Sequence, residues 1–207
     1  MNTTGTPSDD VEEKVRKRPK PGERRVQILQ TLAGMLEQPD AEKVTTAAMA
    51  AKLQVSEAAL YRHFASKAQM YEALIEFVEQ SVFALINQIS EREANGIKQA
   101  HMISSVILNF AEKNRGMTRV MIGDALINEN ERLQVRMNLF FDKVESALKQ
   151  CLRSALEAGQ YGEGFDPAVR ANILTSFVIG RLQRFAKSGF KRLPNEQADQ
   201  SLAMLLS

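Results

Sequence analysis

One stretch of the sequence, residues 44–67, constrains the fold more than any other. It reads VTTAAMAAKLQVSEAALYRHFASK, and it has the pattern of two short helices joined by a tight turn. Apolar residues spaced three and four apart give each helix one face that can pack against a core. The second helix keeps small, hydroxyl and cationic side chains on its outer face. We therefore predict a helix-turn-helix, which can place its second helix in the major groove of DNA.

Residues that favour helix starts and a buried face support this interpretation. Thr45 and Thr46 precede the first helix and Ser56 precedes the second, and hydroxyl oxygens accept hydrogen bonds from unpaired backbone N–H groups. We predict the second helix over Glu57 to Phe64, with Leu60 and Phe64 as the buried anchors because they are four residues apart.

The outer face of the second helix is the predicted DNA-reading surface. Small residues let the backbone approach base edges, and hydroxyl or cationic groups suit phosphate oxygens. A solvated surface is the alternative for any one of these residues, but turn, caps, anchors and polar face all agree. The candidate DNA-binding residues are Thr45, Thr46, Ser56, Glu57, Ala58, Ala59, Tyr61, Arg62, His63 and Lys67.

Charge is unevenly distributed along the 207 residues. Residues 14–67 contain eleven Lys or Arg and five Asp or Glu, whereas the rest of the chain contains sixteen and twenty. A basic amino-terminal third on an acidic remainder is typical of a nucleic-acid module joined to a second domain. We predict that residues 1–21 form a disordered basic arm, which could follow phosphates or serve only as a solubilising tail.

Several functional classes are disfavoured by the composition. Cys151 is the only cysteine, which excludes an intramolecular disulfide, and we predict that it is a buried filler. The two histidines, His63 and His101, do not form a paired metal-ligand spacing, and no serine nucleophile motif occurs. No long apolar run or secretory signal is found. We expect a cytoplasmic protein that is not an enzyme and uses no cofactor or metal.

From Gly22 onward the apolar spacing is helical nearly throughout, which predicts an all-α fold. A long helix from about Glu131 to Ala158 is followed by a glycine-containing loop and a helix opened by Asp166-Pro167. We predict that these two helices pair with the same helices of a second copy, although an intrachain core is the alternative for either apolar stripe. The predicted dimer-interface residues are Met137, Phe140, Val144, Leu148, Ile173, Phe177 and Phe185.

The helix-turn-helix resembles that of the TetR family of DNA-binding regulators. The shared pattern is Val55-Ser56, then residues 60–64 (LYRHF), then Lys67. Gln54 stands where the family usually has Gly, so we expect a strained or slightly altered turn.

This resemblance implies a division of the chain and a mode of DNA binding. Residues 22–82 would form an N-terminal three-helix DNA-binding domain, and residues 83–207 a C-terminal helical domain for dimerisation or effector binding. The protein would then be a homodimer that binds a palindromic site on double-stranded DNA, with one dimer or paired dimers on each site.

Further short matches, scattered over residues 22–191, resemble a group of TetR-like inhibitors of cell division in proteobacteria. That resemblance implies a nucleoid-associated protein whose DNA-bound form engages the tubulin-like division protein FtsZ. We expect the partner surface near Phe77 and Asn114, with Phe77 as ordinary core as the alternative.

A transcriptional repressor released by a small apolar ligand is the alternative function. Its pocket would lie among apolar residues that suit plain packing equally well. They are Ile103, Phe110, Met137, Phe140 and Phe177. A purely architectural DNA protein is a third possibility, and only the basic arm supports it.

Overall fold

The computed structural model describes residues 22–38 and 44–207, and all regular structure within these two ranges is helical. The predicted all-α fold is confirmed. The predicted basic arm, residues 1–21, lies outside the described residues. The helices are α1 (Glu23–Leu36), α2 (Thr46–Leu53), α3 (Glu57–Tyr61), α4 (Lys67–Arg92), α5 (Gly96–Lys113), α6 (Arg115–Met121), a 3-10 turn (Asp124–Leu126), α7 (Glu131–Glu157), α8 (Pro167–Lys187) and α9 (Ala198–Leu206).

Helices α1 to α3 form a small unit, the head, whose core is built from one face of each helix. Leu60 and Phe64, the predicted anchors, are buried. They belong to the same apolar cluster as Ile28 and Leu32 of α1 and Met49 of α2. Because this packing holds α3 from behind, the opposite face of α3 is left outside.

Helices α5 to α9 form the body, and α4 belongs to both units. Helix α4 packs against α1 at one end and against α5 and α7 along its length. Helix α6 also contacts α1, where Gly116 lies against the backbone of Ala33. A Cβ atom at position 116 would collide with the Ala33 carbonyl, so only glycine permits this approach of head and body.

Most of the predicted dimer-interface residues belong to the core of a single chain. Met137, Phe140, Val144, Leu148 and Phe185 are all 0% exposed, so a second copy cannot reach them, and their assignment to the interface is corrected. The reason for the four residues of α7 is that α4 and α5 cover this face within the same chain, for example where the ring of Phe83 meets that of Phe140 at 5.4 Å. Phe185 of α8 packs instead against the ring of Phe190 at 5.0 Å.

Apolar residues nevertheless occur on the outer faces of α7 and α8. Val135 and Leu139 of α7 are 50% and 51% exposed, and Val169 and Ile173 of α8 are 56% and 41% exposed. We call these four residues the outer strip. Of the predicted interface residues, Ile173 is part of it and Phe177 is half-buried. On α7, sequence periodicity pointed to the buried face, because the apolar stripe on that face is longer and more regular than the exposed one.

Two local predictions concern single residues. Gln54, between α2 and α3, is in the left-handed region with φ 55° and ψ 47°, a conformation that favours Gly, so strain in this turn stays the prediction. Cys151 is buried as predicted, and burial raises the pKa of its thiol to about 11. The thiol therefore stays protonated and unreactive near neutral pH.

Replacing Gln54 by Gly and by Ala isolates the strain in this turn, because both variants remove the same side chain. We expect Gln54→Gly to be more stable than Gln54→Ala by about 1 kcal/mol, since a Cβ atom is disfavoured in the left-handed region. Chemical denaturation measures the difference. The same pair at Gln88, exposed within α4, should show the opposite order; one common order at both positions would contradict the strain.

Candidate nucleic-acid interface

The second helix of the helix-turn-helix is shorter than its sequence predicts. It was expected to reach Phe64, but regular α-helix ends at Tyr61. Beyond it, the side chain of Arg25 in α1 donates a hydrogen bond to the backbone oxygen of His63, and its guanidinium lies 4.0 Å from the ring centroid of Phe64. The carbonyl of His63 is thus satisfied by α1, and the chain turns to bury Phe64 instead of continuing the helix.

The face of α3 that points away from the head is accessible. Glu57, Ala58, Tyr61 and Arg62 are exposed, and Tyr61 keeps 44% of its surface. Ala59 and His63 are partly buried beside them, and Ser56 at the start of the helix is exposed. The face therefore combines a small residue near its start with hydroxyl and cationic groups near its end.

The hydroxyl residues at the two helix starts have different roles. Thr45 caps α2 by accepting a hydrogen bond from the Ala48 N–H at 3.1 Å, and Ser56 caps α3 by accepting from the Ala59 N–H at 3.3 Å. Thr46 is not a cap, because its hydroxyl donates to the Glu57 carboxylate at 2.6 Å. This last bond ties the start of α2 to the start of α3 and fixes their relative position.

Lys67 differs most from its predicted role as a free phosphate-binding cation. Its Nζ lies 2.5 Å from a carboxylate oxygen of Glu129, which precedes α7. It also lies 5.6 Å from the ring centroid of Tyr71, one turn further along α4. In the free protein this cation therefore bridges the head and the body.

The pair is the first of three ion pairs that link α4 to the start of α7. Each joins a residue of α4 to one just before or within the first turns of α7. We call the set the ion-pair ladder. Its members are Lys67–Glu129 at 2.5 Å, Glu72–Arg132 at 2.6 Å and Glu79–Arg136 at 2.6 Å. In the third pair, the hydrogen bonds from Arg136 to Glu79 raise the pKa of the guanidinium.

The residues predicted to form the partner surface lie together between α4 and α5. Phe77 is 49% exposed, so the alternative that it is ordinary core does not hold. Its ring is 6.2 Å from that of Phe110, and the side-chain amide of Asn114 donates to the Phe110 carbonyl at 2.8 Å. Phe77 and Asn114 thus flank the same aromatic residue.

Two further exposed apolar residues extend this surface. Leu85, two turns along α4 from Phe77, is 40% exposed, and Met102, two turns before Phe110 in α5, is 42% exposed. We call Phe77, Leu85, Met102 and Phe110 the α4–α5 seam. Sequence reasoning did not select Met102, although its spacing of eight from Phe110 puts both on one helix face.

The residues proposed for an apolar ligand pocket are packing residues in this structure. Ile103, Met137 and Phe140 have no exposed surface. Phe110 belongs to the seam, and Phe177 lies 5.0 Å from the guanidinium of Arg181. All five residues belong to the main apolar cluster or pack against it.

Residues 22–38 and 44–207 contain neither a metal-binding cluster nor a helix that could span a membrane. No group of three or more His, Cys, Asp or Glu side chains within these ranges is arranged to hold a metal ion. No helix within them has the length and apolar content needed to cross a membrane.

Comparison with known families and proteins agrees with this geometry. The family described as "Bacterial regulatory proteins, tetR family" matches residues 28–74, and the SlmA-like family "Tetracyclin repressor-like, C-terminal domain" matches residues 94–207. The nucleoid occlusion factor SlmA of Idiomarina loihiensis is 50% identical over 173 residues, which cover 84% of this chain and 88% of that protein. The SlmA of Alteromonas mediterranea is 46% identical, with 87% and 92% covered.

Solved structures with low sequence identity share the fold. The TetR-family regulator PfmR of Thermus thermophilus matches with a TM-score of 0.73 at 20% identity, covering 86% of this chain and 96% of that one. FadR of Bacillus subtilis, solved with stearoyl-CoA, matches with a TM-score of 0.70 at 15% identity, covering 88% and 97%. The chain belongs to the TetR family of DNA-binding regulators, which are not enzymes, and within it to the nucleoid occlusion factors SlmA.

Proposed function

We propose that this protein binds specific sites on chromosomal DNA as a homodimer and, when bound, inhibits assembly of the FtsZ ring over the nucleoid in the cytoplasm. Septum placement would then depend on chromosome segregation. The observation that carries the proposal is an exposed recognition helix in a chain that is 50% identical to a nucleoid occlusion factor over most of its length. The helix α4 joins this recognition helix to an exposed apolar seam.

The DNA contact is proposed for the outer face of α3 and the start of α2. Ala58 and Ala59 are small enough to let α3 approach base edges, while Tyr61 and Arg62 reach phosphate oxygens. Ser56 already accepts a backbone N–H through its oxygen. Its hydroxyl proton remains free to donate to phosphate, because a hydroxyl is both acceptor and donor.

The dimer contact is proposed for the outer strip rather than for the buried stripe. Val169 and Ile173 are four residues apart on α8, and the exposed Ser176 and Gly180 continue the same helix face at steps of three and four residues. Small residues at these positions let a helix of a second copy approach closely. Val135 and Leu139 supply the matching exposed pair on α7. Two copies held in this way would present two α3 helices to one palindromic site, and paired dimers could share a longer site.

The FtsZ contact is proposed for the α4–α5 seam. Phe77, Leu85 and Met102 are each at least 40% exposed. An exposed apolar patch of this kind favours a partner segment with apolar side chains. Lys113 is exposed beside Asn114 at one end of the seam and adds positive charge for an acidic group on that segment. Because α4 forms part of both the head and the seam, a shift of the head on DNA can alter the seam.

Sedimentation of FtsZ polymers tests the proposed function. We expect wild-type protein to reduce the pelleted polymer when a duplex that it selected from a random library is present, and to have little effect without DNA. Phe77→Asp should abolish the effect but keep DNA affinity, since Phe77 lies outside the head. Met204→Asp, which changes another exposed apolar residue, is the matched control and should behave as wild type.

An unchanged pellet with wild-type protein and its selected duplex would overturn the division role and leave the ligand-released repressor as the alternative. If Phe77→Asp were as active as wild type, the seam would not be the contact surface.

Arg62→Gln should weaken binding to every duplex, because a phosphate contact carries no sequence information. The slope of log K against log salt should become shallower by about 0.9, the value for one lost phosphate contact. Fluorescence anisotropy over a range of salt concentrations measures both effects. Arg92→Gln, at the far end of α4, is the control and should leave the slope unchanged. An unchanged slope in the Arg62 variant would remove Arg62 from the phosphate contacts.

Ile173→Asp should produce monomers if the outer strip is the dimer contact, because it places a charge in an apolar interface. Analytical ultracentrifugation should show a lower molecular mass, with helical content preserved in circular dichroism. Leu193→Asp changes a residue with similar exposure outside the strip and should remain dimeric. Dimers of the Ile173 variant as stable as those of wild type would exclude α8 as the contact.

A further inference from the structure

We propose that Glu129 is a positioning residue that controls the DNA contact of Lys67. In the free protein its carboxylate holds the Lys67 ammonium against the body, and on DNA binding a phosphate oxygen takes the ammonium over. This inference rests on the proposed DNA-binding function and on Lys67 as part of the DNA surface.

The geometry of the pair supports such a competition. The two charged atoms are 2.5 Å apart, the side chain of Glu129 is 15% exposed and that of Lys67 is 28% exposed. Lys67 is the first residue of α4, and it lies three residues after Phe64, the predicted end of the second helix of the helix-turn-helix. A long lysine side chain at this position can therefore turn either to the body or towards DNA.

The turn before α7 fixes the backbone on both sides of Glu129. Asn128 is in the left-handed region with φ 66°, a conformation that asparagine tolerates better than most residues. The Glu129 N–H donates to the Leu126 carbonyl at 3.0 Å, and the Asn130 side chain caps α7. The backbone of Glu129 is thus fixed on both sides, and its carboxylate reaches Lys67 at the start of α4.

A cavity next to the pair gives the lysine room to move. Its volume is about 170 Å³, and it lies between Val44 of the head and the turn that carries Ile127 and Glu129. Tyr71 also lines it and is almost completely buried; burial and then the negative charge of Glu129 raise the pKa of its hydroxyl well above the ordinary value. Tyr71 therefore remains neutral and adds no second negative charge beside Glu129.

The charges around Glu129 make the transfer of the Lys67 ammonium from Glu129 to a phosphate unfavourable in free energy. Asp124 lines the same cavity, and Lys187 pairs with it at 2.9 Å. When Lys67 leaves, Glu129 stays partly buried without its cation, because the nearby Lys187 is already paired with Asp124. This cost lowers DNA affinity in the wild-type protein. It also removes the lowest contact of the ion-pair ladder, so the DNA-bound state differs from the free state where α4 meets α7.

Glu129→Gln removes the charge but keeps the size of the side chain, so it tests the competition directly. We expect it to raise affinity for the selected duplex by about five- to tenfold, as for the loss of a competing, partly buried ion pair. The salt slope should stay the same, because Lys67 reaches a phosphate in the wild-type complex as well. Fluorescence anisotropy across salt concentrations measures both quantities.

Measuring DNA affinity in a Lys67→Gln background separates the proposed competition from a purely structural role of Glu129. Lys67→Gln should make the slope shallower by about 0.9 whether residue 129 is Glu or Gln. In this background, Glu129→Gln should no longer raise affinity, because there is no ammonium left to release. The matched control is Glu72→Gln, which breaks the neighbouring ion pair on the same two helices and should leave the slope unchanged and affinity within about twofold of wild type.

Three results would overturn the inference. They are a wild-type affinity in Glu129→Gln, a slope that becomes steeper by about one in that variant, and a gain in affinity that persists without Lys67. The steeper slope would mean that the pair survives in the wild-type complex. Thermal unfolding checks that each variant is folded. FtsZ enters none of these measurements, so their outcome is separate from that of the division role.

Discussion

A single apolar core runs through both parts of the molecule, and α4 is the helix that makes it continuous. One face of α4 is buried from Met70 to Ile89, first against the head and then against α5 and α7. Leu60 of α3 and Phe64 just after it belong to the same cluster as the core of the body. The position of the recognition helix relative to the body is therefore fixed by packing, and the ion-pair ladder adds charge contacts along the same helix.

Local signals in the sequence predicted the helices well. The caps at Thr45, Ser56 and Asp166 mark helix starts because a side-chain oxygen satisfies an N–H two or three residues away. The expectation of a special turn at Gln54 came instead from the resemblance to the TetR family, which usually has Gly there. The early end of α3 was not predictable, because it depends on Arg25, which is 38 residues away from His63 in the chain.

Contacts between residues far apart in the sequence also explain the errors at the candidate sites. The regular stripe on α7 indicates a buried face, but periodicity does not say whether the same chain or a second copy covers it. Phe140 and Leu148 turned out to be covered within the chain. The charge of Lys67 was compatible with phosphate and with carboxylate, and its partner Glu129 is 62 residues away in the sequence. Only the fold brings the two together.

The sharing of α4 by head and body limits how such a protein can evolve by recombination. A cut near residue 82 would divide α4 and separate its first half from the body, and the close approach of Gly116 to Ala33 would be lost as well. The head therefore cannot be exchanged between relatives as an independent unit. Recombination that exchanged it for a relative's unit would succeed only if the underside of α1 and the whole of α4 were inherited together with their neighbours.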